Sequence, residues 1–403
     1  MYNFAARVLS NRKIQIIVIL LLAVLAAVSV YAGAKNAIAY SQDFQWDATK
    51  ALVDGYDPYE ISLDETGYVP DENLADFYRL FTDAGLKQKM EANQFPSLLL
   101  LLVPYTIFAP MTARVLWLIS NICFTAGILW LLRKTFFAKC GAFECTVMFL
   151  LMIAGTPFRN QIGVGQHTLF SFFFFMLAVW LDEKNPEKNS VPITICMFIS
   201  YFKYTLTAPL TLYLLYRRRY KEFAASVVMH IIATVLAAIM LNKSVVYMIV
   251  APLKVASVLG SQGGLDLGAV FGGGIAGYAV GAIVAVALVV ITLMLPKGHE
   301  HLLFAVLLLW SLILTYHRTY DFFVMSAMSV FTAGAIEIEC NEQLGKIMRV
   351  WFYVLLFMIY FALRVFHENI YSRIVIGLVY YVFTVIVTVM IVRCIKNKYV
   401  KED

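Results

Sequence analysis

Long apolar runs recur along this chain, and they restrict its fold more than any other feature. The first extends from Ile14 to Ala34. Others lie near Met111 to Leu132, Phe143 to Pro157, His167 to Leu181, Val191 to Phe202, Thr205 to Tyr216, Phe223 to Leu241, Phe271 to Leu295, Leu302 to Tyr316, Phe322 to Ile336, Val350 to Phe366 and Ile374 to Cys394. Hydrocarbon offers no partner for a backbone N–H or C=O, so a crossing segment must satisfy its own amides as a helix, or close into a barrel. No run shows the period-two alternation of barrel strands. The expectation is an all-α, polytopic integral membrane protein with about twelve transmembrane helices, forming a single domain over residues 1–403. Composition agrees: 61% of residues are apolar and 14% charged, far from the roughly 45–50% and 25% of soluble domains.

The first run follows Arg7, Arg12 and Lys13 and precedes an "AIA" at Ala37–Ala39 that resembles a signal-peptidase site. It is too long for a signal-peptide core and further spans follow, so it reads as a retained first helix. The run Phe95 to Pro110 is short and contains Pro104 and Pro110. Lys and Arg beside spans stay cytoplasmic. With an inner N-terminus and Phe95–Pro110 not spanning, Arg133, Lys134 and Lys139, then Arg217–Arg219 and Lys221, then Lys346 and Arg349, then Arg393, Lys396 and Lys398 all fall inside. Counting that run as a span would put "YRRRYK" outside. The expected protein is thus a multi-pass cell-membrane protein with both termini cytoplasmic.

Residues 35–94 then form an outer loop with 12 Asp and Glu against 5 Lys and Arg. The net charge of +6 belongs to the inner face and gives no support to a nucleic-acid partner. No cysteine falls in an outer loop, so no disulfide is expected. The Cys and His residues lack metal-ligand spacing, and neither a Walker-type phosphate loop nor a dinucleotide fingerprint is present; metal sites and cofactors are expected to be none. "GGG" at Gly272–Gly274 lacks the strand a phosphate loop needs.

Within "SQDFQWDATKALVDGYDPY" (Ser41–Tyr59) the order predicts a short amphipathic helix on the outer membrane surface. Ser41 is its expected N-cap, Phe44, Ala48, Ala51 and Leu52 its apolar stripe, and Gly55 with Pro58 its end. Asp43 would occupy the first turn, where the helix dipole favours a carboxylate, with Asp47 one turn on. Other outer elements are "FRNQIGVGQHT" (Phe158–Thr168), "YFKYT" (Tyr201–Thr205), "APLKVASVLGSQGGLD" (Ala251–Asp266), "TYHRTYD" (Thr315–Asp321) and "FHENIYS" (Phe366–Ser372). They place Arg159, His167, Lys203, Lys254, His317, Arg318 and His367 at helix ends on the face that bears Asp43. Singly, Lys203 reads as a snorkelling lysine and Asp321 and Thr168 as helix caps. Together, cations beside a membrane cavity fit an anionic lipid headgroup.

Taken in order, "SQDFQWDATKALVDGYDPY", "FPSLLLLLVPYTIFAP" with "ARVLWLISN", "GVGQHTLFSFFFFMLAVWL", "YFKYTLTAPLTLYLLYRRRY" and "TYHRTYD" resemble glycosyltransferase family 87 of the GT-C superfamily. That family includes polyprenol-phosphate-mannose-dependent mannosyltransferases. "FPS" stands where the family commonly has "YPP". The resemblance implies a GT-C-like fold with juxtamembrane helices after the first span and a hexosyltransferase that moves a sugar such as mannose, with inversion, on the extracytoplasmic face. Its partners would be a polyprenyl-phosphate-linked sugar donor, a glycolipid or glycan acceptor, and membrane lipids. Asp43 matches the family's aspartate near the outer end of the first span and becomes the expected general base. Lys203, Arg318, His317 and Arg159 are the expected ligands of the donor phosphate. Asp47, Trp46, Gln166, Tyr316 and Asp321 are expected at the sugar or acceptor, with Tyr56, Tyr59 and Tyr320 as further aromatic surfaces, or as an interfacial belt.

Two other classes share the hydropathy. A secondary transporter would have internal repeats and polar residues at the midplane; here no repeat is visible and the charges cluster at one surface. A lipid-linked polysaccharide polymerase or ligase would also carry outer arginines, with its long outer loop more often late in the chain.

Overall fold

The computed structural model describes residues 11–63, 90–135, 141–185, 187–260, 266–267, 274–314, 317–321 and short stretches between 334 and 396. Helices and no strands occur among the described residues. They are α1 (Arg12–Ala39), α2 (Trp46–Val53), α3 (Pro58–Leu63), α4 (Pro96–Leu99), α5 (Val103–Thr106), α6 (Pro110–Lys134), α7 (Ala142–Ala154), α8 (Thr156–Gly163), α9 (Thr168–Lys184), α10 (Ser190–Ser200), α11 (Tyr204–Tyr216), α12 (Tyr220–Met240), α13 (Val245–Gly260), α14 (Gly274–Met294) and α15 (Glu300–Leu314). The expected spans over 322–336 and 350–366, and most of 374–394, lie outside the described residues, as do His367 and the segment "FHENIYS".

Helices α1, α6 and α12 are each long and apolar enough to cross a membrane, and α7 with α8 forms a further candidate bent by 52° at Gly155. Residues Ser190–Tyr216 also form one unbroken helical stretch of 27 residues, yet its two ends meet. Arg217, just past α11, donates to Asp182 Oδ2 at 2.7 Å, and Arg219 donates to Asp182 Oδ1 at 2.6 Å. Ser190, at the start of α10, donates to Glu222 at 2.8 Å, and Arg219 reaches the same carboxylate at 3.0 Å. Helices α10 and α11 are therefore the arms of a hairpin that turns at Lys203, where φ −109° and ψ 66° leave the helical region. Arms of 11 and 13 residues rise about 16 to 20 Å at 1.5 Å per residue, short of a hydrocarbon core of about 30 Å.

The proline-broken run is short and interrupted. Pro96–Leu99, a 3₁₀ turn at Leu100–Leu102 and Val103–Thr106 make a short, segmented helix. Both of its ends are tied to the segment that follows α1: Tyr59 Oη donates to Gln94 O at 2.7 Å, and Trp46 Nε1 to Tyr105 O at 3.0 Å. It covers α2, which corrects the expectation of a helix lying on the membrane surface. Trp46, Ala48, Thr49, Ala51 and Leu52 are buried among Leu98, Leu99, Leu102 and Trp117.

The expected N-cap is also corrected. Helix α1 runs on to Ala39, so the Ser41 hydroxyl is drawn back to that helix and donates to Ala37 O at 2.5 Å. Helix α2 starts at Trp46, and Asp47, not Asp43, occupies its first turn. The stop is as expected: Gly55 at φ 85° follows the C-cap, and Tyr56 N bonds Ala51 O at 2.9 Å in a Schellman arrangement. Lys254, expected at a loop-borne helix end, is exposed within α13.

Candidate active site

Asp43 sits in the bend between α1 and α2, and the "GVGQHT" turn between α8 and α9 grips it. Its backbone N–H donates to Val164 O at 2.8 Å, and its Oδ2 accepts from Gln166 Nε2 at 3.2 Å. Gln166 Oε1 accepts the His167 N–H at 2.8 Å, which orients the amide so that its NH₂ faces the carboxylate. Gly165, at φ 70°, makes this approach possible: a Cβ there would lie 3.1 Å from Phe44 Cβ and from Ser41 Oγ. Trp117 closes the turn from α6 by donating Nε1 to Gly165 O at 2.8 Å, and Phe44 stacks on its ring at 5.0 Å.

The 3₁₀ turn Thr319–Asp321 brings a third stretch of chain to the same place. The Tyr320 hydroxyl and the positive charges of Lys203 and Arg318 act on the Asp43 carboxylate and favour its charged form. Asp43 is half-buried. Burial raises its carboxyl pKa to about 6, against the opposing pull of Lys203, Arg318 and the Tyr320 hydrogen bond, while Glu91 adds a smaller upward push. Asp47, also half-buried, is likewise raised to about 6 by burial. It accepts from Ala48 N at 2.8 Å and faces the charges of Arg114 and Glu91. Burial thus raises two carboxyls of neighbouring turns to about 6, each beside a different cation.

Lys203 does not stand alone. Its Nζ lies 3.3 Å from Asp321 Oδ1 and 5.4 Å from the centroid of the Tyr320 ring, and its backbone N–H donates to Ser171 Oγ at 2.8 Å. Asp321 also accepts from the Thr168 hydroxyl and, at Oδ2, from the Arg318 backbone N–H at 3.3 Å. Asp321 is 1% exposed, so it holds Lys203 in place and does not line an open surface, as the sugar-site expectation would require. Thr168, expected as a cap of α9, turns its hydroxyl to Asp321.

Around Asp43 the structure brings together Gln166, Lys203 and Arg318 of the expected residues, whereas Asp47, on α2, faces Arg114 and Glu91 instead. His317 is buried beside Arg318 in the connection after α15. Arg159 lies on α8, its guanidinium 3.4 Å from Asn160 Oδ1. Trp46 is 4% exposed with its indole N–H bound to Tyr105 O, and Tyr59 is fully buried; both hold α2 and α3 to the covering segment and present no sugar-facing surface. Tyr316 lies outside the described residues. Tyr320 as a carboxylate partner, Glu91 and Arg114 were not foreseen. Arg114 carried a signal, being an arginine one turn into an apolar span; it donates to Ala39 O at 3.2 Å and to Ile38 O at 3.4 Å, closing the end of α1.

The cleft lies at one end of the bundle. Along α9, Thr168 beside Asp321 and Asp182 beside Arg217 and Arg219 are 14 residues apart, about 21 Å. If the arginines mark one edge of a hydrocarbon layer of about 30 Å, the Lys203–Asp321 pair is recessed below the other edge.

A sequence model of glycosyltransferase family 87 matches residues 96–329, more than half of the chain, including Gln166, Lys203, His317, Arg318, Tyr320 and Asp321; Asp43 and Asp47 precede the match. No curated protein and no solved structure matches.

Proposed function

From the premise that this chain belongs to glycosyltransferase family 87 and is a membrane glycosyltransferase, we propose that it transfers a hexose such as mannose from a polyprenyl-phosphate-linked donor to a glycolipid or glycan hydroxyl, with Asp43 as general base. Family membership sets the transporter reading aside. The observation that carries the proposal is the meeting at Asp43 of a carboxyl with a pKa near 6 and the charges of Lys203 and Arg318.

In this reaction the acceptor oxygen forms a bond to the anomeric carbon while the bond from that carbon to the phosphate oxygen breaks. The acceptor proton passes to the Asp43 carboxylate, and the bonding electrons leave with polyprenyl phosphate. A single displacement inverts the anomeric centre through a transition state of oxocarbenium character. The phosphate gains a negative charge as it departs, so cations beside it stabilise the transition state more than the bound donor. Lys203, oriented by Asp321 and Ser171, and Arg318 fill that role, with His317 behind Arg318. Gln166 holds the base by donating to it, and the Tyr320 hydroxyl favours its charged form. A pKa near 6 leaves Asp43 mostly ionised at neutral pH and more basic than an exposed aspartate, which suits proton abstraction. Asp47, in the first turn of α2, is the acceptor-side carboxylate of this reading. No resident metal enters the scheme. We further propose a GT-C-like bundle in which the hairpin of α10 and α11 replaces two of the twelve expected spans, with the basic end cytoplasmic and Asp43 on the extracytoplasmic side, which gives a recessed phosphate access from the outer leaflet.

The test is a donor panel. Purified protein in detergent should consume polyprenyl-phosphate-mannose and release polyprenyl phosphate in the presence of a glycan or glycolipid acceptor, and should ignore the corresponding nucleotide sugar. Turnover of the nucleotide sugar alone would overturn the proposed donor.

A further inference from the structure

A cavity of about 570 Å³ opens at the other end of the bundle from Asp43. It lies between the C-terminal turns of α11 and α14 and the first residues of α12 and α15. Its inner wall is apolar, from Leu212, Leu215, Val289, Leu293 and Leu295, and its mouth carries Arg217, Arg218 and Lys297. Val289 lies five residues before the end of α14 at Met294, so the apolar wall runs about 7 Å along that helix before the chain reaches Lys297. Leu293 is 77% exposed, which leaves the apolar wall open toward the surrounding hydrocarbon.

The three cations differ in their pairing. Arg217 is committed to Asp182 at 2.7 Å, with Glu300, the one acid on the cavity wall, at 3.7 Å. Arg218 and Lys297 have no carboxylate partner among the described residues, and both are exposed. Arg218 also holds φ 64°, a left-handed backbone that is uncommon for arginine and that packing around it must maintain. A rim of unpaired cations at the level where the basic spans end, above an apolar slot open to lipid, matches an amphiphile with an anionic head.

We propose that this cavity binds an anionic phospholipid from the leaflet at the basic end, with its phosphate between Arg218 and Lys297 and one acyl chain along Leu212, Val289 and Leu293. Arg217, already neutralised by two acids, frames the site. The occupant is a resident lipid and no substrate: the cavity lies at the opposite end of α9 from Lys203 and Asp321, so occupation would stabilise the packing of α11 against α14 and α15 without entering the transfer reaction.

The test uses the full-length protein in dodecyl maltoside micelles carrying phosphatidylglycerol or phosphatidylcholine, with thermal unfolding as the readout. Phosphatidylglycerol should raise the unfolding midpoint of the unaltered protein well above the phosphatidylcholine value. In Arg218→Gln/Lys297→Gln the half-saturating mole fraction should rise at least ~10-fold, since each of the two cations near an anionic headgroup contributes roughly fivefold. Arg218→Gly is a second variant: it relieves the left-handed backbone, so its midpoint in phosphatidylcholine should be equal or higher, while its phosphatidylglycerol increment shrinks. An increment retained in the double variant, or an equal response of the unaltered protein to both lipids, would overturn the site. Full stabilisation by millimolar inorganic phosphate in phosphatidylcholine would replace the lipid with a soluble anion.

Discussion

Gln166 Nε2 lies 3.2 Å from Asp43 Oδ2, and the direction of that amide is set by the 2.8 Å bond between Gln166 Oε1 and the His167 N–H. A donor aimed at a carboxylate favours its charged form. Gln166→Ala should therefore move the acid limb of the pH profile for sugar transfer to higher pH, and Gln166→Glu should move it further by adding like charge. Rates measured from pH 5 to 8 check this. A limb unmoved in both variants would reduce Gln166 to a closer of its turn.

The Lys203–Asp321 pair predicts a cycle that separates packing from chemistry. Lys203→Ala leaves Asp321 buried without its cation, a loss of ~3 to 5 kcal/mol when a buried pair is broken on one side, so both stability and donor use should fall. Lys203→Ala with Asp321→Asn should recover much of the stability, because the introduced amide oxygen can still accept from Thr168, while the donor KM stays high. Arg318→Ala should raise the donor KM by roughly ten- to a hundredfold, as expected for a charge-assisted bond of ~1.5 to 3 kcal/mol, with partial rescue by Arg318→Lys. Recovery of donor use in the Lys203/Asp321 double variant would show that Lys203 serves Asp321 alone.

Local chemistry made much of this arrangement legible in advance. Gly55 and Asp57–Pro58 mark the end of α2 and the start of α3, and the polar "YFKYT" between two short apolar runs marks the hairpin turn at Lys203. Pro104 and Pro110 mark where the short helix of residues 96–106 breaks and where α6 begins. Pairings between distant segments were illegible. Asp43 and Gln166 are 123 residues apart, and Thr168 and Asp321 are 153 apart, so no periodicity encodes either contact. Trp46 misled because an aromatic residue in an acidic loop looks the same whether it faces solvent or, as here, a covering segment that arrives about 50 residues later. Ser41 misled because a hydroxyl between two helices can serve either, and the extra turns of α1 claimed it.

Gly165→Ala tests the grip on the base. A left-handed backbone costs a Cβ-bearing residue ~1 to 2 kcal/mol, and here the Cβ would also meet Phe44 Cβ and Ser41 Oγ at 3.1 Å. Stability should fall by ~1 to 3 kcal/mol. Because Val164 O holds Asp43 N, turnover should fall by more than the unfolded fraction explains. Denaturant unfolding and initial rates on the same preparation measure both, and a rate loss equal to the unfolded fraction would mean that the bend keeps Asp43 in place unaided.

Asp43 and Asp47 make the decisive comparison, because burial brings both carboxyls to about 6 while only Asp43 lies with Lys203 and Arg318. Asp43→Asn retains an oxygen for Gln166 and removes the proton acceptor, so turnover at pH 7.5 should fall ~10²-fold or more. The protein should remain folded. An acid whose folded pKa exceeds its unfolded value of 3.8 adds stability only while protonated, and that contribution is lost as pH rises through about 6. At pH 7.5 the wild-type carboxylate is already ionised against its surroundings, so the asparagine variant should unfold at an equal or higher temperature. In the unaltered protein the acid limb of kcat/KM should lie near pH 6, with activity lost below it as the base protonates. Asp47→Asn should keep that limb and most of the rate, because its amide oxygen can still accept from Ala48 N in the first turn of α2. Near wild-type transfer by Asp43→Asn would sink its assignment as base, and a folded, donor-binding but inactive Asp47→Asn would move the base one turn along the chain.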